Sequence, residues 1–153
     1  MSLLATLLPA SHVLLDVPAR DKRELLDRAA GLLEGQAGIG RGQILDSLLA
    51  RERLGSTGLG KGVAIPHGRI KGLSAPVGAF LRARAAVPFD APDDAPVRLV
   101  FVLLVPERST ELHLQILGEL AQMLSDRTMR ADLGSAPDAA ATQRLIAAWR
   151  STL

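Results

Sequence analysis

The chain contains no cysteine and no tyrosine. The first absence removes disulfides, thiolate metal sites and cysteine nucleophiles together, and leaves the redox compartment unmarked. Aromatic residues make up only 3% of the chain, with a single Trp, so there is no platform on which bases could stack. The net charge is only +2, and the basic residues are scattered, with no run longer than the Lys22-Arg23 pair. A nucleic-acid partner would require a concentrated stripe or a recognisable motif, and neither is present. Arg82, Arg84, Arg144 and Arg150 are therefore expected on a solvated face. Met1 to Ala10 is apolar but lacks a basic leading region and is too short for a signal peptide or a membrane span. The expectation is a soluble cytoplasmic protein without membrane insertion.

What the chain does have is aliphatic bulk: 48% of its 153 residues are hydrophobic, enough to close a layered core. No repeat, low-complexity segment or long linker divides it, which predicts one domain over 1–153. His12 to Val17, ahead of Pro18, predicts a first strand, with His12 a lone surface or strand-end histidine. Asp21 and Glu24 stand at capping-box spacing, and Leu25, Ala29, Leu32 and Leu33 recur at helical period until Gly35. A loop holding Gly38, Gly40 and Gly42 leads to a second helix, striped by Ile44, Leu45, Leu48 and Leu49 and ending near Leu54 and Gly55. Val63 to Ile65, stopped by Pro66, predicts a short buried strand, and Val77 to Arg84 another. Val87 to Pro96, rich in proline and aspartate, is a loop. Val97 to Val105, almost wholly apolar from Leu99 onward, predicts a central strand covered on both faces. Ser109 or Thr110 can then cap a helix with His113, Ile116, Leu117, Leu120 and Leu124 on one stripe. Asp126 to Leu133, closed by Gly134, and Asp138 to Trp149 predict two more helices. The interleaving predicts an α/β fold: a mixed, mostly buried sheet of about five strands with helices on both faces, a three-layer sandwich.

The densest pattern runs from Arg51 to Arg69, where Gly55, Gly58, Gly60 and Gly62 precede Ala64-Ile65-Pro66-His67-Gly68. This loop lacks the Gly-Lys-Ser/Thr of a Walker P-loop, and no strand directly precedes it, as a dinucleotide fingerprint would need. Pro66 fixes the backbone before His67, and Gly68 leaves room beside it for a partner's backbone or a phosphoryl group. A neutral imidazole is a nucleophile that titrates near physiological pH and carries groups covalently. A phosphoryl group on it would need its oxygens neutralised. The hydroxyls of Ser56 and Thr57, backbone N–H groups of the glycine loop such as that of Gly58, and the fork of Arg51 are the candidates. Each has a plainer account as well. Arg51 and Arg53 suit the negative end of their helix, Ser56 and Thr57 are common turn formers, and His113 fits a core position.

The run from Arg51 through Gly55-Ser56-Thr57-Gly58 to Ile65-Pro66-His67-Gly68, followed by Val105-Pro106 and His113-Leu114, resembles the enzyme IIA domain of the bacterial phosphoenolpyruvate-dependent phosphotransferase system. The likeness is to the fructose and mannitol class and most to its nitrogen-regulatory branch, from which the short basic stretch Arg69 to Ala75 departs. The resemblance implies that His67 is phosphorylated by a histidine phosphocarrier protein, that His113 is the second active-site histidine and that Arg51 steadies the phosphoryl group. It implies no cofactor, and a regulatory target protein or a permease subunit downstream. Two rival readings stand beside it: a sugar-specific enzyme IIA, and a metal-binding module built on the two histidines with Asp or Glu.

Overall fold

The computed structural model describes residues 3–108 and 111–150. Its strands are β1 (Val13–Val17), β2 (Gly58–Gly60), β3 (Val63–Ala64), β4 (His67–Ile70), β5 (Val77–Val87) and β6 (Val97–Pro106). Its α-helices are α1 (Lys22–Leu33), α2 (Arg41–Arg53), α3 (Glu111–Ser125), α4 (Arg127–Ser135) and α5 (Ala139–Ala148). The strands form one sheet of six in the order β1-β5-β6-β3-β2, with β4 also on β6. It is mixed, as expected: β5 runs antiparallel to β6 across the Pro- and Asp-rich loop, whereas β1 is parallel to β5, and β3 and β4 are parallel to β6.

β6 divides the core by simple alternation. Val100, Val102 and Leu104 face the side covered by α1 and α2. Leu99, Phe101, Leu103 and Val105 face the side covered by α3, α4 and α5. The unbroken apolar run from Leu99 to Val105 is what a sheet covered on both faces requires, and each fully buried Leu or Phe contributes about 1.5–3 kcal/mol.

The sheet has one more strand than the five expected, and two short ones were not foreseen. β2 is a glycine-rich antiparallel partner of β3, part of what sequence alone reads as loop. β4 holds His67 itself. Pro66 interrupts the pairing for lack of an N–H, but its carbonyl accepts from Leu103 at 2.9 Å and the chain rejoins β6 at once, His67 opposite Leu103. β5 runs on to Val87, past the expected Arg84.

Helix starts were well marked. Asp21, Asp126 and Asp138 each accept a backbone N–H three residues on, as good N-caps do. Glu24 does not complete the capping box but pairs with Arg20 instead. The expected Ser109 or Thr110 cap lies outside the described residues. α4 does not close at Gly134 but runs through it to Ser135, because two arginines satisfy its last carbonyls: Arg82 binds those of Leu133 and Ala136, and Arg98 that of Gly134. Arg82 is therefore not on a solvated face; it is buried, with its guanidinium also on Asp16. His12 is likewise buried rather than superficial, ending a 3₁₀ turn ahead of β1, with Nδ1 3.0 Å from the Gly78 carbonyl. Among the described residues no helix is long and apolar enough to cross a membrane.

Candidate active site

The site lies where α2, β4 and the start of α3 meet. Ser47 and Arg51 stand one helical turn apart on α2, on the face that packs against β4. Ser47 Oγ donates to the Arg69 carbonyl at 3.0 Å, and a Cβ at position 68 would collide with that same Oγ. The space beside Gly68, which the sequence suggests is left for a partner or phosphoryl group, is thus taken by α2. Glycine is needed here so that the helix can close on the strand and bring Arg51 to His67.

His67 is half-buried and held at both ring nitrogens. Nδ1 lies 2.8 Å from the Ile65 carbonyl. A carbonyl only accepts, so Nδ1 carries the proton and Nε2 keeps its lone pair. Nε2 in turn accepts from Arg51 Nε at 3.3 Å, while Arg51 Nη1 donates to the Gly55 carbonyl at 2.7 Å. Arg51 thereby closes its own helix end, as its position predicts, and also reaches the histidine.

His113, third residue of α3, sets its ring edge-on to His67, with centroids 5.5 Å apart and planes at 63°. It is buried, yet neither ring nitrogen meets a partner among the described residues. Buried polar atoms are nearly always hydrogen-bonded, so this ring is suited to a ligand atom. His67, His113, Arg51 and Arg69 border one cavity of about 440 Å³ together with Ser47, Ala50, Leu54 and Gly68.

Both histidines are harder to protonate than a free imidazole. For His67 the cause is first burial; the Ile65 carbonyl opposes it, Arg51 reinforces it, and Glu52 partly offsets Arg51. For His113 burial again leads, followed by repulsion from His67 and Arg69. The lowered proton affinity of His113 thus follows from burial more than from its place near the start of α3.

Ser56, Thr57 and Gly58 border a second cavity, of about 240 Å³, with Arg51 and His67. Their hydroxyls and the N–H groups of Thr57 and Gly58 are already engaged. The Ser56 hydroxyl donates to the Phe89 carbonyl and accepts from Gly58 N. Thr57 gives both its N–H and its hydroxyl to the Glu52 carboxylate, at 3.0 and 2.7 Å. The loop is braced from below rather than open as an anion nest. Four participants escaped sequence reasoning: Ser47, Glu52, the Ile65 carbonyl and Arg69. Only Arg69 left a signal, since it lies two residues from His67 on a strand and so on the same face.

The family model described as "Phosphoenolpyruvate-dependent sugar phosphotransferase system, EIIA 2" matches residues 6–149. The chain belongs to this family. Among enzyme IIA relatives, the nitrogen regulatory protein of Pseudomonas aeruginosa is 44% identical over 144 residues, 94% of each chain. A fructose-specific EIIA component of Haloferax volcanii is 34% identical over 145 residues, again 94% of each. The crystal structure of the nitrogen regulatory protein IIA-Ntr from Neisseria meningitidis superposes with a TM-score of 0.91 at 44% identity, covering 95% of this chain and 99% of that one. The α/β fold of this enzyme IIA is that of its solved relatives.

Proposed function

We propose that this enzyme IIA accepts a phosphoryl group on Nε2 of His67 from a phosphohistidine of a small carrier protein in the cytoplasm, and serves nitrogen-related or other regulation. The observation that carries this reading is the fixed tautomer of His67, whose lone pair at Nε2 faces Arg51 and the cavity shared with His113. Arg51 Nε–H, which donates to Nε2 at rest, passes to a phosphoryl oxygen; the freed Nε2 lone pair attacks phosphorus, the donor's N–P bond breaks, and its electron pair returns to the donor imidazole. His67 keeps its Nδ1 proton on the Ile65 carbonyl throughout, so no base is required. Phosphoryl transfer depends on alignment and charge neutralisation, which Arg51 and Arg69 supply as cations and His113 as a donor to a phosphoryl oxygen.

The surroundings fit a protein donor. Leu54, Leu59, Leu112 and Leu114 are large side chains left exposed. Leu54 and Leu59 border the two cavities that His67 shares, and Leu112 and Leu114 flank His113. Exposed apolar side chains gathered around a charged site mark a docking surface. The regulatory output rests on the closer identity to the nitrogen regulatory protein of Pseudomonas aeruginosa than to the fructose-specific relative; delivery to a sugar permease is the second reading that relative supports. The metal-binding alternative lacks a third ligand, since no three His, Cys, Asp or Glu residues converge among the described residues.

The test is incubation with phosphoenolpyruvate, enzyme I and the phosphocarrier. Wild type is expected to take up acid-labile phosphate and His67→Ala to take up none. Absence of transfer to wild type, or undiminished transfer to His67→Ala, would overturn the reading.

A further inference from the structure

Glu52 adjoins Arg51 in the last turn of α2, yet its side chain is only 5% exposed. A carboxylate so buried is costly unless its oxygens are satisfied. Here they are satisfied by one residue above all. Thr57 N–H reaches Oε1 and Oε2 at 3.2 and 3.0 Å, and Thr57 Oγ1 reaches Oε1 at 2.7 Å. Lys22 Nζ lies 3.6 Å from Oε1 and over the ring of Phe89, which steadies the carboxylate from the other side.

The bracing does not stop at Thr57. Its carbonyl accepts from Ile65 N–H at 3.1 Å, and the Ile65 carbonyl is the acceptor that holds the proton on His67 Nδ1. A continuous series of contacts therefore links a buried carboxylate on α2 to the tautomer of the histidine on β4. Arg51, the neighbour of Glu52, meets the same ring at Nε2. The last turn of α2 thus grips His67 at both nitrogens, directly through Arg51 and through the loop by way of Glu52.

Building on the phosphotransfer function proposed above, we infer that Glu52 is a positioning residue for phosphotransfer, which holds Thr57 so that the Ile65 carbonyl fixes His67 with Nδ1 protonated and Nε2 unprotonated, its lone pair toward Arg51. Its carboxylate touches neither the histidine nor the incoming group. It also accounts for why Thr57, whose type and place suit phosphoryl binding, gives its donors inward.

The test separates this inference from the function it builds on. In Glu52→Gln the carboxylate becomes a neutral amide of the same shape, and the paired acceptance from Thr57 is weakened. Nitrogen-15 shifts of the His67 ring in the unphosphorylated protein are expected to move from a single Nδ1-protonated tautomer to a mixture. The rate of phosphate uptake should fall on the order of tenfold, as small misplacements of a reacting atom do. Thr57→Ser, which keeps both donors, should retain the wild-type tautomer and rate. Thr57→Val, which removes one donor and leaves the buried charge in place, should shift the tautomer partway and supplies the answer if Glu52→Gln does not fold. A His67 ring that stays wholly Nδ1-protonated in the folded Glu52→Gln or Thr57→Val protein would overturn the inference, whatever the transfer assay gives. A shifted tautomer with no transfer even in wild type would uphold the positioning and refute the phosphotransfer function.

Discussion

At the scale of the residue, the proposed site rests on two imidazoles that burial makes harder to protonate. Burial lowers the proton affinity of both His67 and His113 below the ordinary value of 6.5. Just below that pH the unfolded chain binds more protons than the folded one, so stability is complete above 6.5 and falls as the pH drops from there through the folded values. NMR titration should place both midpoints below 6.5, and phosphate uptake should persist at pH 6.5; a midpoint at or above that value for either ring would contradict this. Arg51 contributes shape as well as charge. Arg51→Lys keeps the cation but cannot hold the Gly55 carbonyl and the His67 site with one rigid fork. Loss of one hydrogen bond to a charged group is worth about 1.5–3 kcal/mol, so uptake should slow by roughly ten- to a hundredfold. Rates equal to wild type would show that charge alone suffices.

At the scale of the element, closeness of α2 to β4 is what turns separate motifs into a site. Gly68→Ala places a methyl group against Ser47 Oγ. Overpacking of this kind costs about 1–3 kcal/mol. Relief by tilting α2 outward would also withdraw Arg51 from His67. Chemical denaturation should register the lost stability, and transfer should slow more than the stability loss explains; an unaltered protein would mean that the helix has slack. This contact also shows where sequence reasoning ends. Asp caps, the Ile44–Leu48 stripe and the apolar run of β6 declare themselves locally, because their causes lie within a few residues. The reason for Gly68 lies on Ser47, and the reason for Thr57 on Glu52, through the way the loop folds back. Pro66 misleads for the same cause: it reads as a strand end, but β6 supplies a partner on its far side. Gly134 reads as a helix end for want of knowing that Arg82 and Arg98 arrive from β5 and β6 to take the last carbonyls of α4.

At the scale of the whole molecule, the central sheet holds the two faces apart while bringing its edge, one helix end and one helix start to a common cavity. The layered architecture was legible because β6 is apolar at every position from Leu99 onward, as a strand covered on both faces can be. Arg51, His67 and His113, singled out in the sequence, do converge, whereas the order of the strands and the short β2 and β4 emerge only from the folded sheet. The exposed leucines around the site carry a prediction at this scale. Leu54 and Leu114 are 85% and 69% exposed, so Leu54→Asp and Leu114→Asp should leave the fold and its stability nearly unchanged. Each should raise the KM for the phosphorylated carrier severalfold with a smaller effect on kcat, and an unchanged KM in both would place docking elsewhere. The central claim, that one nitrogen of one histidine carries the phosphoryl group, is tested most directly by phosphorus- and nitrogen-coupled NMR of the phosphorylated protein. The account predicts a single phosphoryl group bonded to Nε2 of His67, with Nδ1 still protonated. A phosphoryl group on Nδ1 of His67, on His113 or His12, or on no histidine would contradict it.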